Sequence, residues 1–370
     1  MNCPKCGSPL RESSKFCPSC GEPVNVSAPL VSEKPVTESP AKPPVFKDTE
    51  ALTLSPQKSF SNTYLGFVIA GVLFLAAIIL GAVGSKHFFS GTNFVSMLIN
   101  FVIYGCLACG IGITSSSKGA DLSSYAVTAV TSSVIGILYA ASGSLFAGIL
   151  VAFLLCLVIG FANAFIASRT NLPMAFISLF VAQLWLMLFN AIFILISNGM
   201  PLQIGAIAPK TALAVWCTVF FLIAFAAAFV PCLVVKKFKT PFYLREKAGV
   251  SFVYGFPYII SAVFAFFGGV LYILRTHSAF QPSAAADLTP VIFAAVFVLI
   301  SRIGDKLSVP MALIGTFAYA VLNNALNIIG INAQRLIFAL LVIILSIVTL
   351  FITRRKDIAF IIKNRKQTVF

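Results

Sequence analysis

The amino-acid sequence predicts an all-α integral membrane bundle of about ten transmembrane helices, preceded by a small N-terminal unit built on four cysteines. Three observations carry this. The 370-residue chain is 59% hydrophobic and only 10% charged, against about 25% charged in an ordinary soluble domain, and its mean hydropathy is +0.98. Apolar runs of about 20 residues recur from Tyr64 to the end, each long enough to cross a hydrocarbon core about 30 Å thick. Four of the 9 cysteines fall within the first 20 residues, and the other five are scattered through apolar segments.

The elements follow in chain order. Residues 1–23 are compact and rich in Cys, Gly and Pro. Residues 24–60 are rich in Pro, Ser, Lys and Glu with few aromatics, too polar to bury a core, and predict a disordered cytoplasmic linker. Residues 61–356 form the membrane domain, and 357–370 a basic tail. In lipid, backbone polar groups must be satisfied within the segment, so the apolar runs predict helices. The expected spans are 62–84, 92–114, 123–141, 144–168, 173–197, 211–235, 250–275, 287–302, 309–330 and 333–353. The first begins after about 60 mostly polar residues, so no signal peptide is expected.

Charge tests this reading. The net charge is +15, which invites a nucleic-acid interpretation. With the N-terminus in the cytoplasm, however, only Lys86, Lys210, Arg275 and Arg335 of the 26 Lys and Arg fall outside the cytoplasmic tails and loops. Positive residues stay preferentially inside, so the basic balance reads as topology with attraction to anionic lipid. Both termini are expected in the cytoplasm of a multi-pass protein in the plasma membrane of a bacterium. No nucleic-acid partner is expected.

The N-terminal unit reads Cys3-Pro-Lys-Cys6-Gly, then Cys17-Pro-Ser-Cys20-Gly. Each C-x2-C turn aims two sulfurs at one point, and the following glycine lets the backbone approach them. Four thiolates suit tetrahedral structural Zn²⁺, with no position left open for catalysis. The pattern resembles the zinc-ribbon knuckles at the N-termini of many bacterial proteins. So small a unit lacks a hydrophobic core, so the metal would supply its folding energy. A redox dithiol pair or an iron site is the alternative. Cys106 and Cys109 repeat the spacing inside an apolar helix, where buried cysteines act as small hydrophobes.

Polar residues inside spans are costly and therefore informative. Asn323, Asn324 and Asn327 cluster on the ninth span, at spacings that share adjoining faces. Asn100, Asn163, Gln183 and Asn190 are similar. Helix–helix hydrogen bonding and solute contact both fit them. Asp121 opens the third span in SKGADLSSYAV and is placed as an N-cap at the positive end of the helix dipole. No Asp or Glu is expected deep in a span, since Asp121 and Asp287 sit at edges.

At these residues the chain resembles a family, the permease subunits of ABC importers for simple sugars, nucleosides and branched-chain amino acids. Its Gly-Gly-Ile-Asp-Leu-Ser opening is similar to Lys118–Ser123. Its small-residue span and the loop after it are similar to Ile159–Leu184, and its outer Asn-Gly-x-Pro to Asn198–Pro201. Thr240-Pro241-Phe242, Gln281-Pro282 and Asn323–Ile331 match further elements in family order. The resemblance covers roughly residues 92–353. It implies a ten-span permease that pairs with a second permease chain, binds cytoplasmic ABC ATPase subunits and accepts solute from an extracytoplasmic substrate-binding protein. It also implies a coupling loop at Lys236, Lys237, Lys239, Arg245, Glu246, Ala248 and Gly249. The path residues it leaves as candidates are Asn323, Asn324, Asn327, Gln183, Asn190 and Asp121.

The loop after Thr-Pro-Phe is shorter than in the family and lacks its Gly-Gly-Asn. A non-transporting scaffold or sensor that binds a cytoplasmic partner through the cysteine unit is therefore the second reading. No G-x4-G-K-[ST] phosphate loop is present, so ATP hydrolysis is expected of a partner. His87 and His277, the two histidines, lie in expected outer loops away from any acid pair, which disfavours a membrane enzyme.

Overall fold

The computed structural model describes residues 60–115, 119–170, 173–205, helical positions between 213 and 226, 255–301, and 308–348 apart from 332 and 335. The four cysteines of the N-terminal unit, the linker, the coupling-loop residues Lys236 to Gly249 and the basic tail lie outside the described residues.

Eleven helices can be followed in chain order among the described residues: α1 Phe60–Gly84, α2 Gly91–Ser115, α3 Ser124–Ser142, α4 Leu145–Arg169, α5 Met174–Ser197, α6 at the positions between 213 and 226, α7 Phe256–Thr276, α8 Pro282–Ala285, α9 Thr289–Ser301, α10 Ser308–Ile329 and α11 Leu336–Val348. α1–α5, α7 and α10 are the 7 helices long and apolar enough to cross a membrane. Over the described residues α9 and α11 are apolar and shorter, and each ends where those residues end. The expected eighth span, 287–302, is shortened at its start, because Asp287 turns back on Thr289 instead of entering the helix. Most of the expected sixth span lies outside the described residues.

Local chemistry sets the ends. Ser144 caps α4 by accepting from the Ala147 amide at 3.3 Å, and α3 stops at Gly143 with φ 69°, a left-handed residue that favours glycine. β1 (Leu202–Gln203) and β2 (Ser278–Ala279) form a two-residue antiparallel pair. It is tightened by Ser278 Oγ donating to Gln203 Oε1 at 2.9 Å.

α2, α3, α7 and α10 are the most buried helices, whereas α1, α4 and α5 turn most of their surface outward. Their outward side chains are bulky and apolar, among them Phe146, Leu154, Phe165, Phe176, Phe180, Leu184, Met187 and Leu195. Water would not tolerate so broad an apolar surface, and lipid would.

Glycines let the central helices touch. A Cβ on Gly110, near the end of α2, would lie 2.6 Å from Ser261 Oγ near the start of α7. One on Gly268 of α7 would meet Leu107 and Ile103 of α2. α2 and α7 therefore run antiparallel. Around this pair the chain repeats itself: α3 and α4 pack on α7, and α9 and α10 pack on α2. Because α2 and α7 point opposite ways, the second set of contacts is inverted relative to the first.

Candidate functional site

A cavity of about 260 Å³ lies among α2, α3, α7, α10 and α11, just below the roughly 300 Å³ at which small-ligand pockets begin. Tyr104 and Leu107 come from α2, Tyr125 and Thr128 from α3, Tyr272 from α7, Tyr319 and Asn323 from α10 and Gln334 from the turn before α11. The segment from Ala284 to Thr289 closes one side. The backbone between α8 and α9, residues 286–288, is not helical, and Ala286 and Asp287 line the cavity. Such backbone is tolerated at membrane depth only where it is buried in protein or lines a wet cavity.

Asp287 is the charged group of this cavity. Its Oδ1 accepts from the Thr289 amide at 3.0 Å, and its Oδ2 accepts from the Tyr319 hydroxyl at 2.9 Å. Tyr319 packs edge-on against Tyr104 with ring centroids 5.3 Å apart and leans on Phe338 at 4.7 Å. Asn323 and Gln334 add amides to the wall. Ring faces beside hydroxyl, amide and carboxylate groups give a wall that is part apolar and part hydrogen-bonding, the composition of a small-solute pocket.

The candidate path residues separate into groups. Asn323 lines the cavity. Asn324, one residue on, is buried with its Nδ2 unpartnered. Asn327 is exposed and accepts from Gln334 Nε2 at 2.7 Å. Gln183 stands behind the wall, donating to the Tyr125 hydroxyl at 2.8 Å. Asn190 holds α8 from outside by accepting from Ser283 Oγ at 2.8 Å. The three asparagines of α10 thus do not act as one face.

Asp121 departs most from expectation. The N-cap position of α3 is held by Ser123, which makes no side-chain cap. Asp121 sits two residues earlier, outside the helix, and is completely buried, so the expected capping role is corrected. Its Oδ1 accepts from the Ser123 amide at 2.9 Å and from Ser123 Oγ at 2.6 Å. Ser123 Oγ in turn accepts from Asn163 Nδ2 of α4 at 2.8 Å. The turn is fastened to four helices: Thr114 Oγ1 of α2 accepts from the Asp121 amide, Asn163 enters from α4, Ser178 Oγ of α5 accepts from the Leu122 amide, and the Tyr258 hydroxyl of α7 donates to the Gly119 carbonyl, the three hydroxyl contacts at 2.9 Å each. Burial pushes the Asp121 carboxyl above the ordinary carboxylate range, against the hydrogen bonds from Ser123.

Sequence reasoning places Asp287 only at a span edge and does not single out Tyr104, Tyr125, Tyr272 or Tyr319, all of which line the cavity. One signal could have found Asp287: Ala286-Asp287-Leu288-Thr289 repeats Ala120-Asp121-Leu122-Ser123. Both aspartates accept, through Oδ1, the amide two residues on. The tyrosines carry no such signal, because an aromatic in an apolar helix reads as lipid-facing or core.

A zinc-ribbon domain model matches residues 2–24, agreeing with the reading of Cys3, Cys6, Cys17 and Cys20. The donor set fits the metal, since four thiolates in two C-x2-C turns satisfy tetrahedral Zn²⁺. These four residues would hold it as a structural ion. No match was found among curated proteins or among solved structures. Together these findings define a helical membrane protein with an N-terminal zinc ribbon.

Proposed function

We propose that the chain is the permease subunit of an ABC-type importer for a small polar solute such as a sugar or nucleoside. It translocates the solute by alternating access, driven by partner ATPases. The observation that carries this reading is the cavity around Asp287: a carboxylate, four tyrosines and two amides gathered inside the bundle. Polar groups at membrane depth are expensive and mark solute pathways. The ring faces suit the apolar faces of a sugar or base, and the hydroxyl and amide groups suit its edges. The ten-span count, the second permease chain, the external binding protein and the plasma-membrane location with cytoplasmic termini belong to the same reading. So does the coupling loop, in which charge reversal at Lys236, Lys237, Lys239, Arg245 and Glu246 abolishes uptake and leaves insertion intact.

The test is purification of the full chain from its native membrane in mild detergent, with mass spectrometry of what accompanies it. A co-purifying subunit with a Walker A motif is the expected result. A preparation that contains only soluble regulatory partners favours the second reading, a membrane scaffold or sensor. The zinc ribbon supports that alternative, because a four-thiolate knuckle is a common way to present a small docking surface.

A further inference from the structure

The two Ala-Asp-Leu-Ser/Thr turns occupy opposite ends of the bundle. Tyr258, at the start of α7, reaches Gly119 beside Asp121, and a Cβ on Gly112 would touch Val309 at the start of α10. The start of α10 therefore lies at the Asp121 end. Gly315 of α10 packs on Phe297 of α9, and Tyr319 packs on Phe293, so α9 runs back toward that end and its first residue, beside Asp287, lies at the other. The second half repeats a further element. Asn163-Ala164-Phe165 on α4 has its counterpart in Asn324-Ala325-Leu326 on α10, and each asparagine is buried with one amide atom unpartnered.

The two ends differ in state. At the Asp287 end the turn lines a cavity. At the Asp121 end the same turn is sealed, yet Asn163 Oδ1 and Ser124 Oγ are buried without a hydrogen bond. Asp121 Oδ2 has no partner beyond the Ser261 hydroxyl, which approaches it from α7. Native cores rarely leave such buried polar groups together without further partners. Tyr125 of the cavity wall follows Asp121 by four residues, in the first turn of α3.

We propose that the Asp121 cluster is a second solute site, the inverted-repeat equivalent of the Asp287 cavity, which opens when the cavity closes. Asp121, Asn163, Ser124 and Ser261 then turn their oxygens to the same hydroxyl-bearing solute that the cavity receives. Inverted repeats with a site at their interface alternate in this way. The assignment rests on the permease reading for its ligand, but the exchange of the two ends can be measured without solute or ATPase.

Two cysteine probes are placed in the full-length protein in lipid nanodiscs, Ser261→Cys at one end and Asn323→Cys at the other. N-ethylmaleimide labelling is read peptide by peptide by mass spectrometry. Two perturbations each remove one hydrogen bond of the present state: Tyr258→Phe at the Asp121 end and Tyr319→Phe at the Asp287 end. Each should raise the labelling rate at Ser261→Cys and lower it at Asn323→Cys, by roughly tenfold where the bond lost is to the Asp287 carboxylate. The decisive arm is Tyr319→Phe, because Tyr319 packs at Tyr104 of α2 whereas Ser261 packs at Gly110. Local loosening alters only the nearer probe, and that result, or no labelling of Ser261→Cys in any background, overturns the proposal. Should a cysteine variant fail to insert, deuterium exchange over residues 119–124, with and without Tyr319→Phe, reads the same opening. Unchanged exchange there overturns it as well. A failed co-purification of an ATPase bears on the permease reading and leaves this measurement standing.

Discussion

Asp121 and Asp287 share a turn and differ in surroundings, so they respond differently to substitution. Asp287→Ala removes acceptors from both the Thr289 amide and the Tyr319 hydroxyl. It should lower solute affinity more than Tyr319→Phe does, which gives up one bond worth about 1.5–3 kcal/mol; a binding titration of the two variants side by side tests the order. Asp121 is governed by pH. Its carboxyl is raised by burial, so its stabilising contribution is complete below the unfolded value near 4 and is lost as pH rises through the higher folded value. Asp121→Asn keeps an acceptor for Ser123 without the charge. The melting temperature of the unsubstituted protein should therefore gain on that of Asp121→Asn as pH falls from neutral toward 4. A constant difference between the two would show that Asp121 does not titrate in that window.

Between helices, glycine decides how close two axes come. A Cβ at Gly112 would sit 2.5 Å from Val309 Cα, backbone against side chain with no flexible tip to yield. Gly112→Ala should force α2 from α10 and cost about 1–3 kcal/mol. Gly71→Ala on α1, where a new Cβ meets nothing within 4 Å, should be neutral or mildly stabilising. Thermal melting in detergent separates the two. Helices as units were readable from sequence because a run of about 20 apolar residues has one solution in lipid. α3 and α4 fall within a residue or so of their expected limits. α9 was overdrawn because hydropathy cannot see that Asp287 folds back on Thr289. The site was readable only in pieces. Asn323 and Asp121 announced themselves as polar groups in apolar surroundings, but which asparagine faces a cavity depends on helix rotation, which Asn323, Asn324 and Asn327 leave open. Tyr104 and Tyr319 become site residues only through the packing of distant segments.

For the whole chain, two units of different physics are joined. The ribbon should hold one zinc per chain, and metal analysis of purified protein checks this against the Cys3→Ser/Cys17→Ser variant, which should carry none. Among the described residues no cluster of three or more His, Cys, Asp or Glu is arranged to hold one. A chelator should therefore strip the zinc while leaving the melting of the helical part unchanged.

The outward faces of α1, α4 and α5 have one more consequence. Phe165, Phe176, Phe180 and Leu195 are bulky and exposed, so detergent or lipid must cover them at every stage of handling. Diluted below the critical micelle concentration without lipid, the protein should stick to its own copies through these faces, and light scattering should rise as it leaves solution.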